Sequence, residues 1–150
     1  MKKKEHYALL LKQVQGLLEG ESDRVANLAN VAAVLHEAFG FWWTGFYLVQ
    51  GREVVLGPFQ GPVACTRIPF GRGVCGTAWQ QGRTVVVPDV EEFPGHIACS
   101  SASRSEIVVP VIKGKDVVAV LDIDSRELAT FDARDAAGLE AIVALLAPLF

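Results

Sequence analysis

The chain has 150 residues, a net charge of −3 and 51% hydrophobic residues, which predicts one domain, residues 1–150, with a sizeable core. The slightly acidic total, with no basic stripe among aromatic residues, argues against nucleic acid as a partner. No apolar run approaches the roughly 18 residues of a membrane span, and polar residues such as Lys12 interrupt the segment that a signal peptide would need. We therefore expect a cytoplasmic protein with no membrane attachment.

The first forty residues predict two helices. Apolar residues recur at helical spacing over 4–19, and Gly20 ends that pattern. Ser22 or Asp23 then caps a second helix, which ends before Gly40. Two consecutive helices followed by strands favour an α+β arrangement over an alternating parallel one.

The rest of the chain predicts an antiparallel sheet. Gly57 and Pro58 are expected to end the second strand, a tight hairpin joins the last two strands, and Asp132 opens a final helix. The expected α+β fold has a central antiparallel sheet of about six strands. The N- and C-terminal helices pack on one face, and loops cover a pocket on the other. The predicted strands are 42–49, 53–56, 64–69, 84–87, 106–112 and 117–123.

The segment DVEEFPGHIACSSASRS, residues 89–105, is predicted to be a loop because proline, glycine and serines interrupt it. Cys99 lies at its centre among polar residues, and His96 and Arg104 would favour its thiolate form. The alternative is a free cysteine that packs as a small hydrophobic residue. The chain has three cysteines. An odd number favours thiol chemistry or metal binding over a disulfide framework.

Two weaker patterns also bear on function. The glycines of GRGVCGTAW precede a predicted short helix, and such a turn can present backbone N–H groups to an anion, although it matches neither a P-loop nor a dinucleotide fingerprint. Asp122 and Asp124 are two residues apart on a predicted strand and so share a face. Taken alone, that pair is typical of a solvated strand end.

Three motifs, in this order, are GPFQGPVACTRIPFGRGVCGTAW, DVEEFPGHIACSSASRSEIVVPV and VLDIDS. With FWWTGFYL and the helical N-terminus, they resemble the free methionine-(R)-sulfoxide reductases, a catalytic branch of the GAF superfamily. The resemblance covers nearly the whole chain, and all three cysteines fall at the family's intervals. It implies a GAF-like fold that reduces free methionine-R-sulfoxide, with thioredoxin as reductant and with no cofactor or metal. Dimers are common among GAF domains, and the sequence leaves open whether this chain forms a homodimer.

The same resemblance implies roles for the cysteines. Cys99 corresponds to the nucleophile, which attacks the sulfoxide sulfur and becomes a sulfenic acid. Cys65 corresponds to the thiol that resolves this acid as a disulfide, and Cys75 to a third cysteine that can also pair with it. The sequence leaves the order of Cys65 and Cys75 open.

The resemblance also implies a pocket for an amino acid. Glu106, Asp122 and Asp124 correspond to its acidic residues, where carboxylates bind the ammonium group and one protonated carboxyl donates to the sulfoxide oxygen. Glu106 is our first choice as donor and Asp124 our second, with Asp122 on the ammonium, alone or with Asp124. Trp43 and Tyr47, four apart on one strand face, correspond to an aromatic wall for the methyl-sulfur group.

Further expectations concern the loop around Cys99. Backbone N–H groups of residues 100–103 are expected to bind the substrate carboxylate. His96 would share a face with Cys99, and tune its thiol, if the turn between them were helical. Two other functions stay open: a non-catalytic GAF sensor for a small ligand, and a zinc site. The zinc ligands would be Cys65, Cys75, Cys99 and His96, which lack the close pairs usual in structural zinc sites.

Overall fold

The computed structural model describes residues 1–99 and 102–150, and its centre is a six-stranded antiparallel sheet. The strands are β1 (Trp43–Gln50), β2 (Glu53–Gln60), β3 (Arg67–Pro69), β4 (Val85–Val87), β5 (Ser105–Lys113) and β6 (Asp116–Ser125). Their order across the sheet is β3-β2-β1-β6-β5-β4. The predicted α+β class and antiparallel sheet are therefore confirmed.

The helices begin and end at residues that the sequence indicates. Asp23 caps the second helix by accepting a hydrogen bond from the Ala26 backbone N–H at 2.9 Å, and Gly40 ends it in the left-handed conformation. Asp132 and Asp135 form a capping box at the start of the last helix. No helix among the described residues is long and apolar enough to cross a membrane. The α-helices are α1 (Lys3–Leu18), α2 (Arg24–Phe39), α3 (Gly73–Gln81) and α4 (Ala133–Leu146).

The two faces of the sheet pack against different layers. Alternate residues of a strand point to opposite faces, so Phe46 and Leu121 join a core with α1, α2 and α4, as predicted. Their neighbours Tyr47 and Val120 join a second cluster with α3 and the loops. The pocket was predicted on this second side of the sheet, beneath α3 and the loops.

Two strand predictions were wrong. Gly57 and Pro58 do not end β2, because the pairing with β1 shifts register at this point and a bulge tolerates a proline without a ladder N–H. The strand predicted over 64–69 is only Arg67–Pro69, so Cys65 lies outside it. The Cys65 carbonyl instead accepts a hydrogen bond from the Tyr47 hydroxyl.

Candidate active site

A cavity of about 40 Å³ lies on the face of the sheet opposite α1, α2 and α4. Strands β1, β5 and β6 form its floor, and the start of α3 and the loop before β5 form its sides. All the predicted site residues except Cys65 line this cavity, and Cys65 is bonded to Cys99, which does. Chain segments far apart in sequence thus bring one set of chemical groups together. These lining residues are Trp43, Tyr47, Cys75, Cys99, Glu106, Asp122 and Asp124.

A disulfide joins Cys65 to Cys99 beside the cavity. Their Cα atoms are 5.4 Å apart, within the usual range for a disulfide, and 34 residues separate them in sequence. Cys75 is the free cysteine, and it is buried. The structure therefore pairs Cys99 with Cys65, and the order in which Cys65 and Cys75 react stays a prediction.

The aromatic side chains of β1 line one wall. The Trp43 and Tyr47 rings stack with centroids 5.9 Å apart, and Phe59 stacks on the other side of Trp43 at 5.2 Å. The Trp43 indole N–H donates to the Pro62 carbonyl at 3.0 Å, and the Tyr47 hydroxyl donates to the Cys65 carbonyl at 2.8 Å. The wall therefore also fixes the segment that carries Cys65.

Gly45 leaves the space in which this wall is packed. Gly45 was not identified from the sequence as a residue of the site. A Cβ at Gly45 would collide with the Trp43 ring and with Phe59. The residue lies opposite Asp122 in the pairing of β1 with β6. The only sequence signal is a glycine inside a strand, which indicates a close approach of other atoms.

The carboxyl groups form a second wall. Glu106 on β5 pairs with Asp124 on β6, and Asp122 lies two residues away on the same face. Glu106 and Asp122 are each 6% exposed. The interpretation of Asp122 as part of a solvated strand end, which the aspartate pair alone suggested, is therefore wrong. Oδ1 of Asp122 has no hydrogen-bond partner among the described residues. A buried, unpaired carboxylate oxygen is unfavourable unless a cation or donor binds it.

The three acids differ in their protonation. Burial raises the pKa of Glu106 well above its usual value, and the charge of Asp122 raises it further. Burial and then the charge of Asp122 do the same to the pKa of Asp124. Burial raises the pKa of Asp122 too, but hydrogen bonds with Glu106 and Cys75 lower it. The arrangement favours one carboxylate, Asp122, beside two protonated acids.

His96 lines the cavity next to Glu106 and does not share a helical face with Cys99. Its Nε2 lies 3.7 Å from Glu106 Oε1. Residues 96–99 are not helical, so the expected shared face with Cys99 does not form. Burial lowers the pKa of His96, which favours a neutral imidazole without the positive charge proposed to help the thiolate.

The start of α3 is the other polar part of the cavity. Gly73 and Val74 line it, and in the described part of the chain no side chain caps the N-terminus of this helix. The first N–H groups of a helix lack intrahelical acceptors and favour anions. The loop predicted to bind the carboxylate includes Ser100 and Ser101, which lie outside the described residues.

The zinc ligand set considered above is not assembled, because Cys65 and Cys99 are bonded to each other. In the described part of the chain, one group of three residues offers atoms close enough to share a metal ion: Cys75, Glu106 and Asp122, all within 4.8 Å of one another. The raised pKa of Glu106 and of the Cys75 thiol favours protons on both groups. The absence of a metal stays a prediction.

Comparisons with known proteins agree with this geometry. The sequence model of the GAF domain family matches residues 23–150 of this chain. GAF domain-containing protein A of Dictyostelium discoideum is 60% identical over 145 residues, 96% of this chain and 92% of that protein. The free methionine-R-sulfoxide reductase of Escherichia coli is 47% identical over 147 residues, 97% of this chain and 89% of that protein.

Among solved structures, free methionine-R-sulfoxide reductase from Neisseria meningitidis, in complex with its substrate, is 56% identical and superposes with a TM-score of 0.97. The match covers 100% of this chain and 91% of that one. Identity of this order over whole chains extends beyond a shared fold to a shared family. The chain belongs to the GAF domain family, in the branch that contains the free methionine-R-sulfoxide reductases.

Proposed function

We propose that this protein, acting as one domain over residues 1–150, reduces free methionine-R-sulfoxide to methionine by thiol chemistry. The observation that carries the proposal is the Cys65–Cys99 disulfide beside a cavity lined by buried acids and stacked aromatic rings. The substrate and its stereochemistry come from the named relatives in Escherichia coli and Neisseria meningitidis.

The reaction begins with Cys99 as a thiolate. Its sulfur attacks the sulfoxide sulfur, the oxygen takes up a proton, and the oxygen then passes to Cys99 as the S–O bond of the substrate breaks. Methionine leaves, and Cys99 is a sulfenic acid. The thiol of Cys65 attacks this sulfur, the disulfide forms, and water leaves. The disulfide of the present structure corresponds to that state.

An external dithiol must then reduce the disulfide, because each turnover consumes two electrons. Thiol–disulfide exchange returns both cysteines to the reduced state and leaves the donor as a disulfide. We propose thioredoxin as that donor. Since such donors work in reducing compartments, we also propose a cytoplasmic location. A homodimer stays a prediction from the resemblance to GAF domains.

The acid cluster has two tasks in this proposal. Glu106, whose raised pKa keeps it protonated, donates to the sulfoxide oxygen, with Asp124 as second choice. Asp122 binds the substrate ammonium through its unpaired Oδ1, with Asp124 beside it. Methionine sulfoxide carries a free α-ammonium group only as the amino acid itself or as an N-terminal residue. Methionine sulfoxide inside a polypeptide should therefore be a poor substrate.

The other parts of the substrate have matching surfaces. Trp43 and Tyr47 offer ring faces for the polarizable methyl-sulfur group. The substrate carboxylate requires donors. The N-terminus of α3 at Gly73 and Val74, which no described side chain caps, offers backbone N–H groups in addition to the loop 100–103.

Turnover of free methionine-R-sulfoxide and of its S epimer tests the proposal, with dithiothreitol as the reductant. We expect conversion of the R epimer alone, its loss in Cys99→Ser, and a much slower reaction with an N-acetylated, amidated substrate. Cys65→Ser serves as the matched control, since in a single turnover without reductant it should form methionine but no intramolecular disulfide. Failure of folded, reduced wild-type protein to form methionine from either epimer would favour the non-catalytic sensor instead.

A further inference from the structure

Cys75 is the cysteine that the reaction above does not use. It lies near the start of α3, is 3% exposed, and lines the same cavity as Cys99. Its Sγ and one carboxylate oxygen each from Glu106 and Asp122 lie within 4.8 Å of one another. The Cys75 thiol therefore lies directly beside the Asp122 carboxylate, whose Oδ1 has no hydrogen-bond partner among the described residues. The thiol is therefore embedded in the acid cluster rather than in the disulfide.

We propose that Cys75 is a positioning residue, not a redox thiol: its neutral S–H donates to Asp122 and orients that carboxylate so that Oδ1 stays available to the substrate ammonium. The proposal rests on the proposed function, because it requires an amino-acid substrate. It assigns to Cys65 alone the resolution of the sulfenic acid, and it gives Cys75 an effect on substrate binding.

The surroundings of Cys75 oppose its ionisation. Burial raises the pKa of this thiol well above its usual value, and the charges of Asp122, Glu106 and Asp124 raise it further. Because the thiolate is the nucleophilic form, a thiol held neutral is a slow partner for a sulfenic acid. The same S–H suits the other role, since a neutral thiol is a donor and a carboxylate is an acceptor.

The hydrogen bond also acts on Asp122. The contact with Cys75 lowers the pKa of Asp122 against the effect of burial. Without the donor, that pKa would rise, and Asp122 would take up a proton at a higher pH. The ammonium would then lose its counter-ion, so binding would weaken first on the acidic side of the pH range.

Two substitutions separate the roles. Serine keeps a donor of similar size but cannot form a disulfide, whereas alanine removes the donor. With saturating dithiothreitol, we expect Cys75→Ala to raise KM for methionine-R-sulfoxide about tenfold, as for loss of a hydrogen bond to a charged group. We expect Cys75→Ser to stay within about twofold of wild type. The acidic limb of the pH dependence of kcat/KM should move to higher pH in Cys75→Ala only.

Cys65→Ser is the matched control for a redox role: its KM should be unchanged, and in a single turnover without reductant it should form methionine but no intramolecular disulfide. Loss of the disulfide in Cys75→Ser and Cys75→Ala alike, with KM unchanged, would assign Cys75 to the redox cycle and overturn the proposal. Wild-type kinetics in both variants would overturn it as well. Absence of activity in the wild-type protein would be a different result, because it contradicts the proposed function itself.

A second measurement does not alter Cys75 at all, and so is independent of how well the alanine variant folds. In the double variant Cys65→Ser and Cys99→Ser, Cys75 is the remaining thiol. Its ionisation is followed by the ultraviolet absorbance of the thiolate as pH rises. We expect no thiolate at neutral or mildly alkaline pH in the folded protein, and titration near the ordinary value of about 8.5 after denaturation. A thiolate already present at neutral pH in the folded protein would contradict the neutral donor.

Discussion

Replacing Glu106 with glutamine should make the protein less active and more stable. Glutamine has nearly the same shape and keeps hydrogen-bonding atoms, but it cannot carry a charge or donate an acidic proton. The activity should fall by about 10²–10⁴ because the substrate oxygen loses its proton donor. The free energy of unfolding should increase because Glu106 is only 6% exposed and lies near two other acids, where an ionised carboxylate is unfavourable.

The size of the gain depends on pH. The folded-state pKa of Glu106 is raised above the unfolded value of about 4.5, so its contribution to stability is complete below that pH and decreases as pH rises toward the folded value. In that window wild type loses up to about 1.4 kcal/mol for each pH unit, whereas glutamine does not titrate. Because Glu106 titrates together with Asp122 and Asp124, we expect its replacement to remove only about half of this change in unfolding free energy per pH unit. The advantage of Glu106→Gln should thus grow by about 1–1.5 kcal/mol between about pH 5 and about pH 7.

Thermal unfolding of the reduced proteins over this pH range measures the effect. A change of 1 kcal/mol corresponds to roughly 2–4 °C for a chain of this size, so the difference in melting temperature should widen by about 2–6 °C. Glu91→Gln is the control, since Glu91 is exposed and distant from the acid cluster in sequence. A melting-temperature difference that is constant or narrows with rising pH would show that Glu106 is not held protonated in the folded protein.

Three further substitutions test how the site is built. Tyr47→Phe removes the donor to the Cys65 carbonyl, and we expect slower disulfide formation after the first turnover, measured by single- and multiple-turnover kinetics; equal rates would contradict a role in placing Cys65. Gly45→Ala should raise KM by roughly tenfold or more, because the new methyl group displaces the stacked indole that forms one wall of the cavity; an unchanged KM would contradict that wall. Gly138→Ala should lower the free energy of unfolding by about 1–3 kcal/mol in urea, because its Cβ would collide with the Tyr7 ring between α1 and α4; Ala137→Gly, on the same helix, is its control.

Local signals predicted the helices and the central hairpin well. The predicted span 4–19 differs from Lys3–Leu18 by one residue at each end, and Asp23 and Gly40 cap α2 as expected. These features depend on residues close in sequence, such as an N-cap side chain and a glycine that tolerates the left-handed conformation. Hairpin pairing between β5 and β6 is likewise set by a short turn.

Features that depend on distant partners could not be predicted in the same way. The continuation of β2 through Gly57 and Pro58 requires a bulge against β1, which no signal within β2 indicates. The spacing of the cysteines does not say whether Cys65 or Cys75 pairs with Cys99, since both distances in sequence are compatible with a bond. In the structure the Tyr47 hydroxyl donates to the Cys65 carbonyl and Cys65 is bonded to Cys99, whereas Cys75 lies beside Glu106 and Asp122.

The two cysteines that are not the nucleophile are each tied to a substrate-contacting side chain of the proposed mechanism. Tyr47, in the aromatic wall, donates a hydrogen bond to the Cys65 backbone, and Asp122, in the acid cluster, lies beside the Cys75 thiol. The same side chains that are proposed to bind the substrate therefore also contact the cysteine segments. A substitution in the aromatic wall should therefore change both the affinity for the amino acid and the rate at which Cys65 resolves the sulfenic acid. A substitution in the acid cluster should change the affinity and the ionisation of Cys75, and leave the rate of resolution unchanged.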